Sequence, residues 1–438
     1  MTANSAQEAP ALVDGLGRKH LRRVLASSFL GSAIEFYDFV LYATAAAIVF
    51  GHVFFTGLGP GLAAFASFGT LAAGYAARPL GGIVFGHFGD RLGRKRVLVV
   101  SMLTMGLATT LIGLLPSSAQ IGAAAPALLI VLRVLQGFAV GGEWGGAMTI
   151  ALEHAPGGKR GFAASFANLG GPAGAVLASG AVTLASLLPD RSFLSWGWRI
   201  PFLLSLVLVA VGLWVRSSVE ESPLFRRFQA EAAERRMPLA EVFAGHSRQV
   251  VLGLFAGLAM FGMMGIATMW AVDFAVGHGA DRTAVLNAKT WAAVLMFGAT
   301  VGSALLSDRI GRKPVMIAGI VAMMAFAFPM LRLVGSGSAL GYAVAVAVGQ
   351  GLQGVVLGPY AAFLAELFPT RVRFTGASLC YQGASTLWAG FTPAIAASLV
   401  LTAGGGTTLL GVVWIGALVV CLAAVLCTRE GKGRDLPE

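Results

Sequence analysis

Six ionisable residues lie inside stretches of this chain that are otherwise apolar: Glu35, Asp38, Arg78, Arg133, Glu143 and Lys289. A charge at membrane depth costs about 2.5–3.5 kcal/mol on insertion scales, so each is a functional hypothesis from the outset. Glu35 and Asp38 stand at i and i+3, which places both carboxyls on one helix face, with Tyr37 and Phe39 among them. A desolvated carboxyl in such a setting can take up and release a proton near neutral pH; the alternative is a permanent ion pair with Arg78 or Arg133. Glu143 is a third proton candidate, and it reads equally as half of a structural salt bridge. Arg78 and Arg133 carry fixed guanidinium groups that hold a carboxylate through two parallel hydrogen bonds, the chemistry of an anion anchor. Tyr37 and Lys289 complete the substrate-binding candidates, although Lys289 lies near a helix end from which it can snorkel outward. Asp273, also near a helix end, reads as a solvated cap or an outer-gate group.

The elements that must position these residues follow from composition. The chain has 438 residues, 57% hydrophobic and 12% charged, with mean hydropathy +0.79. Soluble domains run near 25% charged, and so much apolar surface is accommodated in bilayer-spanning helices of about 20 residues. Twelve apolar windows fall at about 24–50, 62–88, 97–115, 124–153, 161–188, 197–216, 249–276, 284–307, 314–334, 338–364, 374–401 and 408–428. The first is longer than a signal-peptide core and contains Glu35 and Asp38, so it reads as a retained helix. Cys380, Cys421 and Cys427 lie in apolar stretches without metal-ligand spacing and read as buried small hydrophobes.

The formal charge of +11 is unevenly distributed. With a cytoplasmic N-terminus, 24 of the 31 basic residues fall on inside segments, four on outside segments and three within spans. This asymmetry predicts that both termini are cytoplasmic, and it accounts for the charge without nucleic acid. The expected organisation is an N-terminal tail over 1–23, a six-helix half over 24–216, and a cytoplasmic linker with an interfacial helix over 217–247. A second six-helix half over 248–428 and a tail over 429–438 follow.

An internal repeat supports two halves. GHFGDRLGRK (Gly86 to Lys95) matches ALLSDRIGRK (Ala304 to Lys313), with Asp90 and Asp308 separated by 218 positions, close to half the chain. Gln136-Gly137 recurs as Gln353-Gly354, and Glu153, Pro156 and Arg160 recur as Glu366, Pro369 and Arg373. Two related halves predict a substrate site between them near the bilayer midplane. Gly137, Gly141 and Gly145 recur every four residues, a small-residue stripe suited to close helix contact.

The DRLGRK loop and its DRIGRK copy resemble the signature of the major facilitator superfamily. The strings EFYDF (35–39), ARPLGGIVFGHFGDRLGRKR (77–96), RVLQGFAVGGEWGGA (133–147), SWGWRIPFLLS (195–205) and ELFPTRVRFTGAS (366–378) resemble its metabolite:proton symporter family. That family includes shikimate, citrate, 2-oxoglutarate and proline/betaine carriers, and the first half is most similar to the shikimate type. The resemblance implies an all-α membrane protein of twelve transmembrane helices in two pseudo-symmetric halves, working as a monomer in the inner membrane. It also implies that the loop charges Asp90, Arg91, Arg94, Glu153 and Arg160, with Asp308, Arg309, Arg312, Glu366 and Arg373, form a cytoplasmic gate. The gate pairs across the halves in the outward-open state and separates in the inward-open one.

The implied activity is proton-coupled uptake of a small polar metabolite, foremost an organic carboxylate such as shikimate or a di- or tricarboxylate, by alternating access. Uptake of a zwitterionic osmolyte is one alternative. Export by proton antiport is another, suggested by NLGGPAGA (168–175), although Gly171 and Pro172 there are equally a helix kink. The proton is the coupling ion, and no other cofactor and no metal is expected. An enzyme or a nucleotide-driven pump is excluded by the pattern: there is no G-x-x-x-x-G-K-[ST] loop and no H-E-x-x-H, and the six histidines are scattered mostly over tails and loops.

Overall fold

A backbone in hydrocarbon must satisfy its own hydrogen bonds, so apolar windows of this length fold as helices. The computed structural model describes residues 5–219, 221 and 238–432. Its first half contains α1 (Ser5–Ile48), α2 (Pro60–Leu92), α3 (Arg94–Leu114), α4 (Ala124–His154), α5 (Arg160–Ala185) and α6 (Arg199–Ser217). The second contains α7 (Ser247–Gly277), α8 (Arg282–Ile310), α9 (Arg312–Val334), α10 (Ala339–Glu366), α11 (Arg373–Thr402) and α12 (Thr408–Leu426). No strand occurs among the described residues.

Ten of the twelve are long and apolar enough to cross a membrane. The other two, α2 and α5, carry Gly, Ala and Ser where their neighbours carry larger aliphatics, which lowers their hydropathy and lets them pack between other helices. The expected windows agree with the helices to within a few residues except at the start, where α1 reaches back to Ser5. Helical hydrogen bonding is internal and continues into polar sequence without an apolar face. The expected linker helix falls largely on 222–237, outside the described residues, and a short helix, Pro238–Gly245, precedes α7. Cys380 and Cys421 are buried, but Cys427 is exposed: it is the residue that ends α12 rather than one packed within it.

The two repeat loops have the same conformation. Gly93 joins α2 to α3 at φ 109°, and Gly311 joins α8 to α9 at φ 112°, a backbone region that favours glycine. The glycine of D-R-x-G-R-K is therefore the joint itself. Within the first half α4 packs on α2, and the small-residue stripe makes this possible. A Cβ on Gly137 would stand 2.0 Å from the Gly74 carbonyl oxygen, and one on Gly141 would stand 2.2 Å from that of Arg78. Across the halves α2 meets α11, while α5 meets α8 and α10. Trp144, Met148, Leu152, Ala164 and Ala167 of the first half share one apolar core with the second half. In two helices of the second half the α-helical ladder is interrupted by a π-helical segment, Ile266–Trp270 in α7 and Ser385–Ala389 in α11.

Candidate functional site

Glu35 and Arg78 face a common small cavity between the two halves. Glu35, Phe36 and Phe39 come from α1, Tyr75 and Arg78 from α2, Phe261 and Met264 from α7, and Tyr381 and Ser385 from α11. Its volume is about 30 Å³, so it is closed down to the size of one or two water molecules. The Arg78 guanidinium lies 4.4 Å from the centre of the Tyr75 ring and 5.6 Å from that of Phe39, a cation held over aromatic faces. Thr386 on α11 donates to the Tyr75 carbonyl at 3.2 Å and ties the second half to the rim.

Asp38 turns into the first half. Thr109 Oγ1 donates to Asp38 Oδ2 at 2.8 Å and also lies 2.9 Å from the Met105 carbonyl, while Gln136 Nε2 donates to Thr109 Oγ1 at 2.7 Å. Arg133 donates to Gln136 and stacks over Tyr42 at 4.0 Å. The Thr109 hydroxyl has one proton and two acceptors in reach. A protonated Asp38 can donate to Thr109 while Thr109 turns to Met105, so the network accommodates either state of the carboxyl. Asp38 Oδ1 is buried without a hydrogen-bond partner.

Besides Asp38, four candidates lie outside the cavity lining. Glu143 forms a two-pronged pair with Arg216 at 2.6 and 2.9 Å and accepts from Ser101 at 3.0 Å, the structural role of the two that its sequence left open. Tyr37 points away from the cavity into the first-half core and donates to the Pro201 carbonyl at 2.6 Å. One helix position is a rotation of about 100°, enough to separate it from Phe36 and Glu35. Arg133 is engaged by Gln136 and Tyr42 rather than lining the cavity. Lys289 is half-buried on α8 under the influence of Asp273 and also lies outside the cavity lining; Asp273 itself is exposed.

At the face bearing the repeat loops the halves are clasped. Asp90 accepts from the backbone N–H of Phe374 and Thr375 at 3.2 and 2.8 Å and from Thr375 Oγ1 at 2.8 Å, so it sits on the start of α11. Its repeat counterpart Asp308 accepts from the N–H of Gly161 and Phe162 at 2.8 and 2.9 Å, on the start of α5. Each carboxylate thus meets the positive end of a helix in the opposite half. Glu153 pairs across the halves with Arg373 at 2.6 Å. Arg94 pairs with Glu153 and donates across to the Thr370 carbonyl at 3.0 Å, and Arg312 pairs with Asp308 at 2.7 Å and Glu366 at 3.1 Å. Cross-half contacts of this group thus include Glu153–Arg373 and the carboxylates on helix starts, while Arg94 and Arg312 also neutralise acids of their own half. Arg160 opens α5, half-buried, with its charge acting on Glu366. Arg91 and Arg309 are exposed at the rim, because the turn of helix that buries Asp90 and Asp308 points the next residue outward.

Both loops are also tied from behind. Lys95 N–H donates to Glu221 at 3.1 Å, and the N–H groups of Arg312 and Lys313 donate to Glu430 at 3.0 and 2.9 Å. Partial burial raises the Glu430 carboxyl, but donation from the N–H groups of Lys432, Arg312 and Lys313, with the Arg312 charge, outweighs it and holds the pKa below the usual value.

Sequence reasoning missed Tyr75, Tyr381, Ser385 and Arg216. The first three are uncharged, and nothing in a run of apolar residues singles them out. Arg216 ends the sixth window, where a basic residue reads as part of the cytoplasmic boundary rather than of the interior.

Two related helical halves, clasped at one face around a charged cavity, are the architecture of a membrane carrier. The sequence profile of the Major Facilitator Superfamily matches residues 28–393, and the chain belongs to that superfamily. It is 44% identical over 425 residues to the inner membrane metabolite transport protein YhjE of Escherichia coli, covering 94% of this chain and 95% of that one. It is 38% identical to the E. coli shikimate transporter, with the same coverage, and 36% identical to the glycine betaine/proline/ectoine/pipecolic acid transporter OusA of Dickeya dadantii over 87% of this chain and 78% of that one. Among solved structures, the proton:xylose symporter XylE of E. coli superposes with a TM-score of 0.78 at 19% identity over 96% of this chain and 98% of that one, a likeness of fold. The protein is a multi-pass membrane transporter of that superfamily, related to metabolite, shikimate and betaine/proline carriers, and not an enzyme.

Proposed function

We propose that this protein takes up a small organic carboxylate together with a proton, by alternating access between its two halves, as a monomer with no cofactor beyond the coupling proton. The observation that carries this reading is the placing of Glu35 and Arg78 on one closed cavity between the halves. In the empty carrier Glu35 balances Arg78. A substrate carboxylate that takes the Arg78 guanidinium displaces that balance, and a proton on Glu35 restores it. Anion and proton therefore favour each other's binding, and the pair enters as a unit of unchanged local charge. Asp38, one helical turn away, offers a second protonation site whose hydrogen bonds fit both states.

The clasped face is the cytoplasmic one in this reading, as the distribution of basic residues argues, with both termini inside and the carrier in the inner membrane. The clasp then corresponds to a state closed toward the cytoplasm. Release of Asp90 and Asp308 from their helix starts, with separation of Glu153 from Arg373, opens the way inward. The relatedness to a shikimate transporter at 38% identity supports a hydroxylated carboxylate, and the aromatic lining of the cavity favours a ring or a compact apolar face on it. The relatedness to betaine and proline carriers supports a zwitterion as the second reading, in which Arg78 holds the same carboxylate.

The deciding measurement is uptake by purified protein in liposomes under an inward proton gradient, with shikimate, citrate, 2-oxoglutarate, proline and glycine betaine compared. Accumulation of a carboxylate that collapses with protonophore is expected. Uptake indifferent to the gradient would sink the symport reading, and efflux driven by external protons would establish export instead.

A further inference from the structure

Between the central cavity and the clasped face, the seam joining α11 to the first half contains polar groups that apolar packing does not require. Tyr381 of α11, which lines the cavity, stacks on Trp144 of α4 with ring centres 3.5 Å apart and planes 11° from parallel. Trp144 Nε1 donates to Asn168 Oδ1 of α5 at 2.7 Å, and the Tyr381 hydroxyl donates to the same oxygen at 3.5 Å. One aromatic pair spanning the halves thus closes the cavity on that side, held by one amide oxygen.

Just beyond the stack, three polar atoms are buried without a hydrogen-bond partner: Asn168 Nδ2, Gln382 Oε1 and Ser378 Oγ. Ser378 and Gln382 are fully buried, and Asn168 is more than nine-tenths buried. Ser378 lies against Gly145 of α4, where a Cβ would stand 1.9 Å from its hydroxyl oxygen, so no side chain fills the seam there. Gln382 reaches α4 only through long contacts of its Nε2 with the Val140 and Gly141 carbonyls, at 3.4 and 3.5 Å. A buried polar atom left unpaired costs free energy in the state that buries it, and its retention calls for a state in which it is paired.

We infer that Asn168, Ser378 and Gln382 line the passage by which substrate leaves the cavity toward the clasped face, and that the Trp144–Tyr381 stack is the gate across it. When α11 moves off α4 and α5, an amide donor, a hydroxyl and an amide acceptor become available in the gap. They are neutral, so a hydroxylated carboxylate leaving Arg78 is hydrogen-bonded without being captured by a second fixed cation. Their unmet hydrogen bonds also weaken the closed seam, which keeps the clasp reversible. This rests on the central cavity being the substrate site, and the test separates the two.

The full chain with Cys380→Ala, Cys421→Ala and Cys427→Ser is given a single new thiol, Ser378→Cys or Gln382→Cys, purified in detergent and reacted with a hydrophilic maleimide. Each thiol is measured with the clasp intact and with Glu153→Gln, which breaks the Arg373 pair. With the clasp broken, labelling at both positions is expected to rise about tenfold or more, the population change of a shift of roughly 1.4 kcal/mol. A thiol at Ala362→Cys, in the second-half core, is expected to stay shielded. No rise at either seam position overturns the inference, as does an equal rise at Ala362→Cys, which would mean general loosening. Either seam position decides the matter if the other variant does not fold. A thiol at Ser385→Cys that stays shielded in both backgrounds would instead overturn the cavity as the substrate site.

Discussion

Within its spans and away from the clasped loops, the first half buries Glu35, Asp38, Arg78, Arg133 and Glu143, with Arg216 reaching Glu143 from the end of α6. The spans of the second half bury Tyr342, Tyr360, Tyr381, Gln350, Gln353 and Gln382, all uncharged. The helix order is the same, the loop glycines have nearly the same φ and the loop aspartates each sit on a helix start of the opposite half, yet the interior chemistry has diverged. The α7 and α11 helices carry π-helical segments beside the cavity, while α1 runs unbroken past Glu35. Such segments occur often at functional positions and loosen the helix locally. The contrast assigns the charges to a well-packed wall and the adjustable surface to the wall opposite. Backbone repetition supplied two similar helical bodies and one clasp used twice, while the charged residues of the cavity lining, Glu35 and Arg78, come from the first half alone.

The largest effect expected is on coupling. Glu35→Gln should abolish proton-driven accumulation while leaving exchange of substrate across the membrane. Arg78→Gln should lose both, since it removes the proposed anchor of the substrate carboxylate, and losing one partner of a desolvated charge pair costs about 2–5 kcal/mol in binding. Liposome uptake and counterflow check the pair, and Gln353→Leu in the second half serves as the comparison; if it uncouples transport as Glu35→Gln does, the asymmetry is wrong. Second, Glu143→Gln should destabilise the protein by about 3–5 kcal/mol, because it leaves Arg216 buried and charged. Thermal unfolding in detergent should show most of that loss recovered in Glu143→Leu with Arg216→Met. Retained stability in the single variant would remove the structural role of the pair.

Third, the two copies of the gate should differ in degree. Asp90 takes three donors and Asp308 two from the opposite half. Asp90→Asn should therefore loosen the clasp more than Asp308→Asn, each by about 0.5–2 kcal/mol as for a lost helix cap. Labelling of a thiol at Thr375→Cys or Phe162→Cys measures this, and equal effects would make the copies equivalent. The smallest effect concerns Glu430, which is about half exposed and screened by solvent. Its folded pKa is depressed, so its contribution is fully present above the unfolded value near 4.5 and is lost as the pH falls through the folded value. Wild type should lose a small part of its stability over that acid window and Glu430→Gln should not; identical profiles would show the tie to α9 to be inconsequential.

Much of this was legible in advance. The twelve windows, the repeat at 218 positions and the scarcity of charge in the spans all follow from side-chain polarity along the chain, because lipid exposes each segment separately. The gate aspartates were legible for a different reason: a repeated motif marks a repeated contact. The partners were not. Asp90 meets backbone N–H groups, which no residue type announces, and Arg216 reaches Glu143 from 73 positions away. Tyr37 lies outside the cavity lining because adjacent residues on a helix face different neighbours, and the neighbours are a property of packing.

What the sequence by itself determined is a membrane carrier of two homologous six-helix halves, its superfamily, and a short list of intramembrane charges. Only the tertiary structure decided what each of them faces: Glu35 and Arg78 a common cavity, Asp38 the Thr109 hydroxyl, and Glu143 the Arg216 guanidinium. The physical reason is that the cost of burying a charge depends on the residue and the solvent, and so is written locally. Its compensation depends on which helix face is turned toward which neighbour, and that is settled only when the helices pack.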